Sequence, residues 1–363
     1  MPDENPDLTL PKINAASIHL LERLCNASSV SGDEAEVRKI VLEQIQPAAD
    51  SVKIDALGNI LAERRSSNGS THKPLRVMVA AHMDEVGFMI TSDEGDGFYR
   101  FQTVGGVDAR QIAGKPVQIG SEHIPGVIGA KPIHLTTASE RKNAISIDSL
   151  RIDVGPSGKK IQPGSRAVFA TKFTRLGPSV RGKALDDRIG VASLIHLIKH
   201  PPANVDLLAA FTVQEEVGLR GARVAAYACD PDAAIVMDCT PAYDLPVWDE
   251  AENTQYNARL GDGGALYIAD SATLSDPRLL RHFIDTAEAH RLPYQFRQAG
   301  GGGTDAGAIH KARAGVPSLS ISVPGRYLHT AAAIARVNDW QHTLQLVYAA
   351  LNRLTPAVFQ QDR

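Results

Sequence analysis

Five short stretches of the sequence carry side chains able to do chemistry. His82 and Asp84 lie in AAHMDEVG, Asp186 and Asp187 in KALDDRIG, and Glu215 and Glu216 in FTVQEEVGLRGA. Asp238 lies in AIVMDCT and His329 in PGRYLHT. Each follows, or nearly follows, an apolar run or a glycine-rich turn. Adjacent carboxylates repel one another unless something neutralises them. Alone, such a pair is an ordinary solvated surface feature, and a single His after a strand is an ordinary structural one. Their joint occurrence beside apolar runs points instead to metal. Two His and several carboxylates suit zinc or cobalt better than calcium. Two four-coordinate ions that share a carboxylate and a water need about five protein ligands. In the HxD unit, Asp84 can accept the other ring N–H of His82 and so fix its tautomer.

Apolar runs at Leu75 to Ala81, Val205 to Val213, Ala233 to Met237 and Leu319 to Val323 read as strands covered on both faces. Between and around them the helical period recurs. Ile18, Leu21, Leu24 and Cys25 form one stripe, and Val37, Ile40, Val41 and Ile45 form another before Pro47. Ser31 and Glu34 have capping-box spacing ahead of that second helix. Further helices are expected over Val191 to Lys199, over Pro277 to His290, and at the C-terminus through Leu344, Val347, Leu351 and Leu354. This is an α/β layer pattern. In an open α/β sheet the carboxyl ends of the strands form the ligand-binding edge, so the charged stretches should converge there. From about Gly87 to Ser179 the pattern changes. Glycines recur every few residues, Gly95, Gly126 and Gly158 among them, and separate short runs such as PVQIG and SRAVFA. A small β-barrel or sandwich inserted into the α/β domain is expected, which divides the chain into 1–86, 87–179 and 180–363.

Composition narrows the function classes. With 38 basic and 41 acidic residues the net charge is −3, which argues against nucleic acid or an anionic membrane as partner. No apolar run approaches the roughly 20 residues needed to span a bilayer. The acidic opening MPDENPDLTL has no apolar signal core, and Cys25, Cys229 and Cys239 form no CxxC, so a cytoplasmic protein is expected. GGGTDAG fits neither phosphate-binding pattern; close backbone approach to a ligand, with Asp305 set behind, is its expected use. No nucleophile elbow occurs, and His134, His196, His310 and His342 have no partner pattern.

At AHMDEVG, GGVDARQIAGKPV, GVIGAKPIHL, ALDDRIG, QEEVGLRGA, GGGTDAG and RYLHT the sequence resembles the cytosolic dinuclear aminopeptidases related to the tetrahedral (TET) peptidases. These form family forty-two of the metallopeptidases, sometimes labelled glutamyl aminopeptidases or endoglucanases. The likeness runs from Ser31 to His329. It implies a mixed, mostly parallel sheet covered by helices, of zinc-exopeptidase type, with an inserted β-barrel used for dimerisation. It also implies dimers that assemble into a hollow tetrahedral dodecamer, and peptide substrates with a free N-terminus. By motif position His82 resembles the first ligand, Asp186 the bridging aspartate, Glu216 a ligand of one ion and Asp238 of the other. His329 completes the set, Glu215 resembles the general base, and Asp84 the partner of the His. Two departures, HTAAAIA after His329 and a short RIDVGPSGKKIQPGSR, bear on substrate shape and loop packing. The same metal chemistry on another amide, as a deacylase or carboxypeptidase, is the nearest alternative, with Arg220 or Arg326 to meet a substrate carboxylate. A non-enzymatic scaffold would not need Glu215 beside complete ligands.

Overall fold

The computed structural model describes residues 8–68, 73–156, 160–246 and 257–360. The acidic first seven residues and Gly158, both used above, lie outside the described residues.

The expected apolar runs are four neighbouring parallel strands at the centre of an eleven-stranded mixed sheet. Their order across the sheet is Val205–Thr212, Leu75–His82, Ala233–Pro241 and Ser318–Arg326. Antiparallel strands flank them, Ser51–Ile54 and Ile60–Arg64 on one side and Ala333–Arg336, Ser179–Gly182 and Thr174–Leu176 on the other. Alternate residues of each strand face opposite layers. Val77, Val79 and Ala81 enter the larger core with the helices Ala15–Asn26, Ala35–Ile45, Leu185–Lys199, Pro277–His290 and Val337–Arg353. Met78 and Ala80 face the smaller layer made by Arg220–Cys229 and Ala306–Ile309.

The glycine-rich segment contains a closed six-stranded antiparallel barrel, which resolves the choice between barrel and sandwich. Its strands are Gly87–Gly95, Phe98–Val104, Pro116–Ile119, Ile124–Gly129, Arg151–Asp153 and Arg166–Phe169. Phe88 packs edge-on against Phe101 and Phe169, with centroids 5.3 and 5.2 Å away. The 87–179 span therefore also holds Thr174–Leu176, a strand of the larger sheet rather than of the barrel.

Three local expectations change. Ser31 does not cap a helix: Ala35–Ile45 begins after Glu34 without a side-chain cap, and the Ser31 hydroxyl donates to Asp84 Oδ2 at 2.6 Å. The charged carboxylate is a stronger acceptor relationship than a cap offers. Glu34 does reach back, accepting from the Gly32 N–H at 2.6 Å. The helix expected from Val191 starts earlier, within the segment Leu185–Lys199, but Asp186 and Asp187 have non-helical backbone, with ψ of 110° and 42°, so the pair stands at a kink and the regular helix follows it. The C-terminal helix is Val337–Arg353, which leaves Leu354 just past its end. Among the described residues no helix is long and apolar enough to cross a membrane.

Candidate metal centre

All five charged stretches meet at the carboxyl edge of the parallel strands. His82 is the last residue of its strand, Asp238 lies near the end of Ala233–Pro241, and His329 lies three residues beyond Arg326. Glu215 and Glu216 occupy the loop after Thr212, and Asp186 and Asp187 form a non-helical kink just ahead of the regular part of the Leu185–Lys199 helix. The sheet thus delivers every candidate to one crevice.

Asp186 sits between the two imidazoles. Its Oδ1 is 3.2 Å from His82 Nε2, and its Oδ2 is 3.5 Å from His329 Nε2. Asp238 Oδ1 lies 3.7 Å from His82 Nε2, and Glu216 Oε2 lies 3.3 Å from His329 Nε2. Glu215 Oε2 stands 4.0 Å from His82 Nε2. Asp187 spends its carboxylate on the backbone, accepting from the His82 N–H at 3.2 Å and the Gly190 N–H at 2.9 Å.

Asp84 is buried and approaches His82 Nδ1 to 3.5 Å, but that nitrogen lies closer, at 3.1 Å, to the Asp84 backbone carbonyl. The Asp84 carboxylate accepts instead from Ser31 and from the backbone N–H groups of Glu215 and Glu216, at 3.0 and 3.2 Å. It holds the glutamate loop from inside the crevice. Asn59 closes the neck of that loop, accepting from the Val213 N–H at 2.9 Å and donating to the Gly221 carbonyl at 3.0 Å. Gly221 has to be glycine there, since a Cβ would lie 2.3 Å from Asn59 Oδ1.

Electrostatics show what the crevice lacks. Burial pushes Glu215 well above the carboxylate range, Glu216 to about 8, Asp238 to about 6 and Asp305 to about 7. Burial opposes charge on the imidazoles, yet Asp186 and its neighbours override it, lifting His82 well above its usual value and His329 to about 9. Burial also opposes the charge on Asp84 and Asp186, but facing His82 and, for Asp186, His329 holds both below the usual range. The buried basic side chains do not balance this charge. Lys183 and Arg188 both pair with Glu85, at 2.5 and 3.0 Å, and Arg297 donates to backbone carbonyls. Two donor groups, His82 with Asp187 and Asp238, and His82 with Asp186 and Glu216, have ligand atoms within 4.8 Å of one another. Clustered oxygen and imidazole donors with surplus negative charge fit divalent ions.

Residues 58–346 match the M42 glutamyl aminopeptidase family. The chain belongs to this family. It is 32% identical to the lysyl aminopeptidase of Pyrococcus furiosus over 353 residues, 94% of this chain and 98% of that one. An aminopeptidase from the archaeon Desulfurococcus kamchatkensis superposes with a TM-score of 0.88 at 33% identity, covering 95% of this chain and 97% of its own. The TET1 peptidase of Pyrococcus horikoshii, which can assemble into a tetrahedron or a large octahedral shell, gives 0.79 at 32% identity, covering 92% and 98%. As an M42 member the protein is a peptidase of the metal-dependent aminopeptidase type.

The sequence reading missed the supports of this M42 site. Asn59, Glu85, Lys183 and Arg188 are buried polar residues whose partners lie far along the chain. The only local signal was position, since three of them lie within the MDEVG and KALDDR motifs.

Proposed function

We propose that the protein is a dinuclear aminopeptidase that removes residues from the free N-termini of peptides. His82 and Asp238 would hold one divalent ion, His329 and Glu216 the other, and Asp186 would bridge them. The observation that carries this reading is the Asp186 carboxylate, which turns one oxygen to each imidazole. Asp187, although within reach of the His82 and Asp238 donors, is assigned to holding the backbone, since its two oxygens accept the His82 and Gly190 N–H groups while Asp186 faces both imidazoles. Zinc or cobalt suits these donors.

When bound, such ions supply Lewis acidity, which makes water more acidic and polarises the scissile carbonyl. Glu215 is then the base: its Oε2 lies beside the His82 end of the cluster yet belongs to neither donor group. Its carboxylate takes the proton of the attacking water and delivers it to the nitrogen of the leaving amine. Burial raises its proton affinity, which suits a group that must both accept and return a proton. Asp84 holds the Glu215 and Glu216 backbone in place during the exchange.

The carboxypeptidase alternative is weakened by Arg326, whose guanidinium is forked onto Asp244 with both bonds at 2.8 Å. We further propose a cytoplasmic homo-oligomer, with barrel-mediated dimers building a tetrahedral dodecamer. The assembly of the Pyrococcus horikoshii relative supports this, as do Ile133 and Leu135, which the insertion leaves 71% and 60% exposed. A panel of free and N-blocked peptides with added zinc or cobalt tests the activity. Cleavage of blocked peptides at equal rate would defeat the aminopeptidase reading. Light scattering tests the assembly, and a monomer at micromolar concentration would defeat it.

A further inference from the structure

The two imidazoles of the crevice are held in different ways. His82 ends a central strand, with its side chain 3% exposed. His329 lies outside any strand, 39% exposed, in a turn where Tyr327 and His329 have φ of 60° and 58°. Left-handed backbone at non-glycine residues persists only where its surroundings hold it.

Those surroundings come from the barrel. His329 Nδ1 lies 3.0 Å from the carbonyl oxygen of Gly106, 223 positions earlier in the chain. Ala331, two residues after His329, is buried in the barrel's own apolar cluster with Phe88, Phe101 and Phe169. The approach is close: Gly105 has φ of +80°, which favours glycine, and any side chain on Gly106 would oblige the imidazole to give way by a few tenths of an ångström. A Cβ on Gly106 would stand 3.2 Å from His329 Nδ1, and one on Gly105 would stand 2.8 Å from Val86 and 3.3 Å from Glu216 Cβ. With Nδ1–H donated to that carbonyl, the Nε2 lone pair is left free, and Nε2 is the atom that faces Asp186 and Glu216.

We infer that Gly106 is a positioning residue for His329, so that the inserted barrel rather than the catalytic sheet fixes the tautomer and aim of one of the two imidazole ligands. The inference rests on the reading of His329 as a ligand. On this account the barrel is part of the active site as well as an assembly element. Its turn and its core grip the His329 segment from two sides, through Gly106 and through Ala331.

The test is cobalt(II) titration of the metal-free full-length protein, followed by visible absorption and calorimetry, in wild type, Gly106→Ala, Ala331→Gly and His329→Ala. Gly106→Ala keeps the carbonyl but sets a Cβ 3.2 Å from Nδ1, so it should push the ring off that carbonyl and weaken one of the two ions by up to about 10–100-fold, the usual scale of losing a partner behind a ligand, and leave the other unchanged. Ala331→Gly, which frees the turn without touching the imidazole, should weaken the same ion by less, and it carries the test if Gly106→Ala does not fold. Recorded above the His329 folded value of about 9, where the ring is neutral, the ¹⁵N shifts of His329 in metal-free protein should show the Nδ1–H tautomer in wild type and its loss in Gly106→Ala. Normal binding of both ions by Gly106→Ala and Ala331→Gly, while His329→Ala loses one, would overturn the positioning role. Retention of both ions by His329→Ala would overturn the ligand reading, and this inference with it.

Discussion

The carboxyl edge of the sheet and the interior of the barrel solve opposite problems. The barrel buries Phe88, Phe101 and Phe169 in edge-on contact, with Ile90, Ile119 and Ile152 around them. The sheet edge buries Asp84, Asp187 and Asp238 beside a largely buried Asp186 and Glu215, with the nearby Lys183 and Arg188 turned to Glu85. One region is stabilised by its own packing. The other is a charge arrangement that its own side chains leave unbalanced, and it is completed by what it binds. A site built this way lowers the stability of the empty protein in exchange for affinity toward cations.

The sharpest break between the regions should come at Glu215. Glu215→Gln keeps the shape but cannot accept a proton, so turnover should fall about 10²–10⁴-fold with metal content unchanged. Loss of metal in this variant, with metal retained in Glu216→Gln, would show that the two glutamates have the opposite roles. Asp186→Ala should release both ions, whereas His329→Ala should release one; elemental analysis of the purified variants distinguishes them. In the barrel, Phe88→Ala should cost about 3–5 kcal/mol of stability, as for other buried aromatics, read from denaturant midpoints. An equal loss from an Asp238→Asn change in metal-free protein would erase the contrast, because relieving charge at the sheet edge should stabilise the empty form.

The smallest effect is in pH. In metal-free protein Asp238 and Glu216 have folded values of about 6 and 8, above their ordinary range near 4, and His329 has one of about 9. Groups raised on folding contribute stability at low pH and lose it as pH rises through the folded value. The chelated protein should therefore lose melting temperature from about pH 6.5 to 9, above the range in which His196, lowered by burial to about 4, acts in the opposite sense. Asp84 and Asp186, held low, act in the opposite sense only below about pH 4. Added zinc should flatten the profile. A chelated protein whose melting temperature rises over that range would contradict the charge imbalance described here.

How much of this was legible in the sequence follows the range of the interactions. The four central strands could be read because burial on both faces leaves continuous apolar runs, and Pro277–His290 because Pro277 marks its start. The ligand candidates could be read because like charges next to apolar runs demand a cause. Barrel closure was implied by the family resemblance but could not be read from the residues alone, since glycine turns and short strands serve a sandwich equally well. Ser31 misled because capping-box spacing is local, and the acceptor that claims its hydroxyl, Asp84, is 53 positions away. Gly106 was invisible for the same reason: nothing near it in the chain hints that a distant imidazole requires its carbonyl.

The pair of Glu85 and Lys183 has a consequence for how the chain closes on itself. Glu85 stands just before the first barrel strand at Gly87, and Lys183 just after the sheet strand ending at Gly182. Their buried contact at 2.5 Å, with Lys183 also donating to the Ala27 carbonyl, ties the outgoing and returning chain together at one point. Between them the chain runs through the barrel and then through Thr174–Leu176 and Ser179–Gly182, which rejoin the sheet, so the barrel is a loop with its ends clasped. The entropy of closing such a loop grows only with the logarithm of its length, about 0.6 kcal/mol for each doubling. The catalytic half is therefore nearly indifferent to the size of what it carries there. An insertion can lengthen, shorten or be exchanged for another, provided that the clasp stays shut and some turn of the cargo still reaches back to His329.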